Sequence, residues 1–432
     1  PSDPDVVVIG AGAAGIAAAR TLMAEGLEVA VIEAADRIGG RAHTETASFG
    51  VPYDQGCAWL QGPESLTLYR HALARGFDLL DHSDPSEAVF VGDRRATNAE
   101  RSAYWSAWGR IEDALEDADD VDVAAAEVLP AGLDWSGTVQ SWMGAMDAGV
   151  DFPRLSTADY NVFEDYEIDL LIREGLGALV ADAGAGLAVS LSTPATAIDW
   201  SGEGVAVETP AGTIRARAAV VTVSTGVLGA GAIRFTPDLP AWKAEAVERV
   251  PMGLLTKIAL KTDGERFGLS DNAWLTYRTS EEVPAEASFF LTHPFGEPIL
   301  VGFVGGAFGW ELSRAGDAAS VDFVTGELVK LFGSRARDRI VATSVSGWAT
   351  NPHTRGAYAS ALPGHHDARA ALARPLGDRV FFAGEAMAGG YIQLCSGAWM
   401  SGEATARAVA ATIARACGTC GPKSNRQNGE AE

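Results

Sequence analysis

DVVVIGAGAAGIAAARTLMAEGLEVAVIE, residues 5–33, reads as strand, turn, helix and strand in succession. The β-branched run at 6–9 has the character of a strand buried on both faces. Gly10, Gly12 and Gly15 follow in GxGxxG spacing, then come helix formers up to a stop signal at Gly26. Each glycine has a mechanical reason. Gly10 permits a tight turn, Gly12 lets backbone approach a pyrophosphate, and Gly15 lets the helix pack on the strand. The helix N-terminus then offers amides and the positive end of its dipole to phosphate. The second strand ends at Glu33, 18 residues after Gly15, where a carboxylate can accept hydrogen bonds from a ribose diol. A GxGxxG alone is weak evidence, but in this setting it predicts a dinucleotide-binding unit. It does not separate NAD from FAD.

The next stretch does. EAADRIGGRAHT, residues 33–44, resembles the ExxxRxGGR extension of FAD-binding oxidases and reductases of the glutathione-reductase type. Arg37 and Arg41 supply guanidinium forks suited to phosphates, and Gly39 and Gly40 bring backbone close to a cofactor. The far end of the chain returns to the same theme. DRVFFAGEAM (378–387) reads as a strand closed by Gly384 and Glu385, and 396–416 as a long Ala-rich helix. Residues 194–224 read as alternating strands with turns at SGEG and PAG.

The chain has 432 residues, 47% hydrophobic and 21% charged, the balance of a globular protein with two or three domains' worth of core. No apolar run approaches the roughly 20 residues of a membrane helix. There are 33 Lys+Arg against 57 Asp+Glu, a net charge of −24. That balance argues against nucleic acid and anionic membranes; it suits solubility and would also favour a cationic small molecule, and charge by itself does not choose between the two. The chain opens on Pro1 without a signal-peptide pattern. The cytoplasm is the expected compartment, with export the alternative if a leader has been removed. Of four cysteines, Cys57 and Cys395 are isolated in sequence, and Cys417 and Cys420 form a lone CxxC. A tetrahedral zinc site needs four ligands, so no metal is expected.

The matching segments run along nearly the whole chain: GAGAAG, DRIGGR, DQGCAWLQG (54–62), VVTVSTGVLGAGAIRFTPDLP (220–240), GLLTKI (253–258), WATNPHTRGAYASALPG (348–364) and FFAGEA with CSGAWMSG. Together they resemble the flavin-containing amine oxidase family, which embraces monoamine and polyamine oxidases, flavin L-amino-acid oxidases and histone-lysine demethylases. The resemblance implies an α/β, Rossmann-like FAD-binding domain built from 1–75, 175–252 and 342–416. A mixed α+β substrate domain would come from 76–174 and 253–341, with 417–432 a disordered tail. It implies hydride transfer from the amine α-carbon to flavin N5, reoxidation by O2 to hydrogen peroxide, and hydrolysis of the imine to an aldehyde. The acidic balance points to a polyamine or other cationic amine. An L-amino-acid oxidase or a desaturase of the same superfamily is the rival enzyme, and an FAD-stabilised scaffold the rival outside enzymology. A homodimer is compatible with the family.

By the same resemblance, Ala14, Ala34, Trp59, Ala195, Trp348, Ser396 and Ala398 join Gly10, Gly12, Gly15, Glu33, Arg37, Gly40, Arg41, Gly384 and Glu385 at the cofactor. Ala357 stands where monoamine oxidases carry the cysteine that bonds to FAD, so FAD is expected to be non-covalent. Tyr358 matches one wall of the aromatic cage around the substrate amine, while Leu394 replaces the other. Trp348 and Trp59 are pocket walls or core. Gln61 stands where polyamine oxidases often carry His or Glu. Glu167, in FEDYEIDLL (163–171), matches the region from which those enzymes place a carboxylate in their tunnel; a surface helix is the plainer reading. The acid-rich 112–122 reads as a solvated face. Lys257 matches the lysine that holds a water against flavin N5. On local grounds alone Lys257 and Lys261 share one face of a strand and could simply guard a sheet edge.

Overall fold

The computed structural model describes residues 3–164 and 166–418. The expected tail falls almost entirely outside the described residues, with Cys420 and Asp165; the C-terminal helix runs to Gly418, past the boundary drawn at 416.

Val6–Ile9 is the central strand of a five-stranded parallel sheet. Val29–Ile32 and Ala218–Val221 flank it, and Val189–Ser190 and Val380–Phe382 form the edges. The strand is apolar on both faces because both faces are covered. Val7 and Ile9 enter one core cluster, while Val6 and Val8 enter another, the two-residue alternation of a strand. On the second of these faces lie the helices Ala13–Ala24 and Cys395–Gly418. They approach closely: a Cβ on Gly402 would fall 2.1 Å from the Ala14 carbonyl oxygen. The other face carries the four-stranded sheet of Gly212–Ala216, Val205–Thr209, Ala197–Asp199 and Arg234–Thr236, with the helices Ala241–Arg249 and Ala368–Ala373. The turns expected at SGEG and PAG connect strands of this sheet.

A second, seven-stranded sheet has the order Ile340–Val345, Leu255–Thr262, Ile299–Gly305, Phe289–Thr292, Ala273–Tyr277, Glu87–Val91, Arg94–Arg95. It is antiparallel except where Ala273–Tyr277 meets Glu87–Val91. The helix Asp317–Phe332 covers one face, and an aromatic cluster with Trp142, Phe289 and Phe303 fills the other. A π-helix, Ser141–Ala148, is packed against this sheet.

Two expectations are corrected here. Leu255–Thr262 is not an edge strand, since it pairs on both sides. Neither lysine guards an edge: Lys257 Nζ donates to the Asp54 carbonyl at 3.0 Å and Lys261 Nζ to the Phe49 carbonyl at 2.6 Å. The face they share is covered by 49–54, and each ammonium replaces its lost water with a backbone acceptor. The boundaries drawn at 342 and 75 also cut through pairing. Ile340–Val345 belongs wholly to the seven-stranded sheet, and Trp59–Gly62 pairs with Ile168–Ile172. Partners so distant in sequence leave no compositional trace.

The first glycine turn is a tight packing point of the parallel sheet. A Cβ on Gly15 would lie 1.9 Å from the Gly10 carbonyl oxygen, which the helix backbone cannot escape. Gly15→Ala should destabilise the protein by about 1–3 kcal/mol or more, read as a lower midpoint in denaturant. Gly326→Ala, in the helix Asp317–Phe332 with open space around it and ordinary helical backbone, is the control; equal midpoints would contradict the packing argument.

Candidate active site

One continuous cavity of about 860 Å3 begins at the carboxyl ends of Val6–Ile9 and Val29–Ile32 and reaches Lys257 and Phe303 of the seven-stranded sheet. The carboxyl edge of a doubly wound sheet is where such folds bind ligands.

At the sheet end, Gly10 turns the chain with φ +104°. Glu33 is buried, and its carboxylate accepts from the Ala11 N–H at 2.7 Å and the Ala35 N–H at 2.8 Å. It therefore shapes the glycine turn as well as facing the cavity. Gly12 and Gly39 meet in a backbone bridge. A Cβ built on Gly12 would meet no protein atom closer than 3.8 Å, so this cradle is open on the side where a pyrophosphate would approach. Ala14, Ala34, Arg37, Gly40, Ala195, Gly384 and Ala398 line the same wall. The residues present thus fit FAD. The arginines are partly committed elsewhere: Arg37 donates to the Ile38 and Gly40 carbonyls, and Arg41 to the Ala357 carbonyl at 2.7 Å and Glu385 at 2.8 Å.

Three expected residues stand elsewhere. Gly15 is behind the turn, packed on Gly10. The Ser396 side chain is buried against Gly62, off the cavity wall, because helical spacing turns Cys395 and Ala398 inward instead. Glu167 is exposed and accepts from the Glu64 N–H at 2.6 Å. Asp169, two residues on, lies inside the strand Ile168–Ile172, pairs with Gln61 and lines the cavity, whereas Glu167 precedes that strand.

At the other end, Lys257 is buried, and burial pulls its ammonium below the usual lysine range, against the opposing charge of Asp54. The Asp54 carboxyl accepts from Thr44 Oγ1 at 2.5 Å and from the Leu176 and Gly177 N–H groups; burial still raises it, against Lys257 and these donors. Tyr358 donates its hydroxyl to the Met146 carbonyl at 2.9 Å. Trp348 is buried and donates to the Gln55 carbonyl at 2.9 Å. Trp59 stacks on Trp274 with centroids 5.6 Å apart and donates to His82 Nδ1. Lys257, Tyr358, Trp348, Trp59 and Gln61 all line the cavity.

Sequence reasoning missed four features of this wall. Cys57 and Cys395, isolated in the chain, meet here as hydrogen-bonded free thiols, and that bond together with burial pushes the Cys395 thiol well up. His82 enters from the loop after Leu79–Asp81. Asp169 is raised to about 6 by burial, against a hydrogen bond from Gln61. Asp147, at the end of the π-helix, is raised to about 7 by burial alone. The alternation in FEDYEIDLL gives Glu167 and Asp169 the same parity and does not choose between them; nothing in the sequence marks Asp147. Arg173 and Arg278, two arginines that an amino-acid oxidase could use to grip a substrate carboxylate, lie away from the cavity. Arg173 is paired with Asp78 at 2.5 Å, and Arg278 is held by Asp134 and Glu281.

The model of the flavin containing amine oxidoreductases matches residues 13–410. The chain belongs to that family. It is an FAD-dependent amine oxidase by class. Polyamine oxidase 5 of Oryza sativa subsp. japonica is 30% identical, with 93% of this chain and 86% of that one aligned. Polyamine oxidase 2 of Arabidopsis thaliana is 29% identical over 92% and 86%. The solved cyclohexylamine oxidase from Brevibacterium oxydans IH-35A superposes with a TM-score of 0.77 at 24% identity, covering 96% of this chain and 100% of that one; at that identity the likeness speaks for the fold. Among the described residues no helix is long and apolar enough to cross a membrane, and no cluster of His, Cys, Asp and Glu could hold a metal ion.

The open space at Gly12 separates binding from folding. Gly12→Val should give a folded protein with little or no FAD, since the new side chain meets cofactor space and not protein. Far-UV circular dichroism and flavin absorbance per chain read the two effects; a normal flavin content would show that the cradle lies elsewhere.

Proposed function

We propose that this amine oxidase acts on a polyamine or another cationic amine, with O2 as the electron acceptor. The observation that carries the reading is the pair of carboxyls, Asp147 and Asp169, on a cavity wall shared with Tyr358 and without an ion-pair partner among the described residues. FAD supplies the hydride acceptor for the α-carbon of the amine. It is held without a covalent link, with Ala357 at the attachment position of monoamine oxidases.

The roles of the chain's own residues follow from their contacts. Tyr358, fixed through Met146, presents an aromatic wall that orients the amine. Trp348 and Trp59 close the sides and exclude water, and Gln61 holds Asp169. Lys257 is a buried donor whose lowered proton affinity suits it to hold a water and pass a proton beside developing negative charge. Glu33, Gly12 and the Arg37–Arg41 loop hold the cofactor. The parallel sheet with its flanking helices serves as the cofactor domain, and the seven-stranded sheet with its helices as the substrate domain. A homodimer and a cytoplasmic location complete the proposal.

An L-amino-acid oxidase would need an arginine to grip the substrate carboxylate; Arg173 and Arg278 are engaged away from the cavity, Arg37 and Arg41 are engaged at its cofactor end, and Arg355 also lines it. Anaerobic addition of single compounds tests the reading. A diamine or polyamine should bleach the flavin absorbance and release peroxide when air is admitted. Bleaching by amino acids but not by amines would overturn it.

Lys257→Met keeps the apolar stem and removes the charge and its donors. FAD content should be retained, while amine oxidation or the reaction with oxygen slows by roughly 10²-fold. Stopped-flow measurement of both half-reactions decides. Unchanged rates at equal flavin content would make Lys257 solely a tether for the Asp54 carbonyl.

A further inference from the structure

Two free cysteines far apart in the chain, Cys57 and Cys395, come together on the cavity wall. Their thiols are hydrogen-bonded, and both side chains pack on the apolar cluster of Leu60, Leu66 and Trp399 while staying partly open to the cavity. That bond foremost, and burial with it, hold the Cys395 proton in place. The pair is therefore polarised: Cys395 donates and Cys57 accepts, which makes Cys57 the nucleophilic sulfur. Three charged groups face the pair. Lys257 and Arg41 favour a thiolate there, and Asp54 opposes it.

The two cysteines join elements that the reaction depends on. Cys395 opens the long helix Cys395–Gly418, which is packed backbone to backbone at Gly397 on Tyr391 and at Gly402 on Ala14. Cys57 ends the 54–57 turn. The Asp54 carbonyl of that turn holds Lys257, and the Gln55 carbonyl holds Trp348. Hydrogen-bonded sulfurs must close to about 2 Å to form a bond. Closure draws the turn against a helix that is held in place, and shifts the carbonyls that orient Lys257 and Trp348.

We infer that Cys57 and Cys395 form a peroxide-responsive dithiol on the cavity wall, whose closure to a disulfide reversibly slows the enzyme. The oxidant is hydrogen peroxide. Its supply within the cavity rests on the oxidase reading above; the dithiol itself does not. The Cys57 sulfur attacks one peroxide oxygen: an S–O bond forms, the O–O bond breaks, and the departing hydroxide takes up the thiol proton as water. The Cys395 sulfur then attacks the Cys57 sulfur: the S–S bond forms, the S–O bond breaks, and the second hydroxide leaves as water with the Cys395 proton. Two thiols lose two electrons, and one peroxide becomes two waters. In the cytoplasm proposed for this protein, thiol reductants reopen the bond.

The test treats holoenzyme with hydrogen peroxide in the absence of amine and removes the excess with catalase. Peptide mapping should find a disulfide between Cys57 and Cys395, distinct from any bond between Cys417 and Cys420. The rate of anaerobic flavin bleaching by 1,4-diaminobutane should fall by roughly 10-fold or more and return after dithiothreitol. Absence of this disulfide overturns the switch, as does a disulfide that leaves the rate unchanged or a loss of rate that dithiothreitol does not reverse. Cys395→Ser separates the two roles: peroxide should then leave Cys57 as a sulfenic acid, trapped by dimedone, whereas Cys57→Ser should leave Cys395 unlabelled. Equal labelling in the two variants overturns the polarity. Should either variant lose FAD, the wild-type map and rate decide alone. Peroxide release from amines in air tests the oxidase reading separately, so its failure leaves a mapped disulfide standing.

Discussion

Arg41 and Glu385 form an ion pair at 2.8 Å, 344 residues apart in the chain. Glu385 is buried, with a side chain 5% exposed, and also accepts from the Ala359 N–H. Arg41 donates at the same time to the Ala357 carbonyl. One charge pair thus ties together the glycine-rich loop after the second strand, the strand–helix junction at the end of the parallel sheet, and the short segment that carries Tyr358. Removing either partner would strand the other charge in a poorly solvated place, a loss typically larger than the pair's own net contribution. The cofactor cradle and the wall that faces the amine are therefore held in one frame.

The cavity has an electrical gradient. Arg37, Arg41 and the helix that starts at Ala13 lie towards the sheet end, where a pyrophosphate carries negative charge. Asp147 and Asp169 occupy another wall, raised by burial. Lys257 is tied to the 54–57 turn, with Asp54 close enough to oppose its loss of charge. An anionic cofactor and a cationic substrate can then share one cavity, each meeting groups of opposite sign. Lys257 is both a tether, through its bond to the Asp54 carbonyl, and a cavity donor, and the two roles are compatible because an ammonium has three hydrogens.

Local signals were legible wherever one short segment carries the whole constraint. Val6–Ile9, the turn at Gly10 and the helix after it could be read because β-branched alternation, positive φ and close packing act between near neighbours. Glu33 was legible for the same reason, although its bonds to the Ala11 and Ala35 amides were not. Tyr358, Trp348, Gln61 and Lys257 came through motif resemblance and do line the cavity. Glu167 failed by two residues: it has the parity of Asp169, but it precedes the strand Ile168–Ile172, inside which Asp169 pairs with Gln61 and lines the cavity.

By itself the sequence determined the parallel nucleotide-binding unit, because this depends on glycine stereochemistry and strand periodicity within a few residues, while the flavin cofactor and the class of chemistry were legible through the resemblance of its motifs. Only the tertiary structure decided that Leu255–Thr262 is an interior strand, that Cys57 meets Cys395, and that Asp147 and Asp169 share a wall with Tyr358. Those facts depend on which distant segments pair and on how deeply a side chain is removed from water, and neither is encoded at the residue itself.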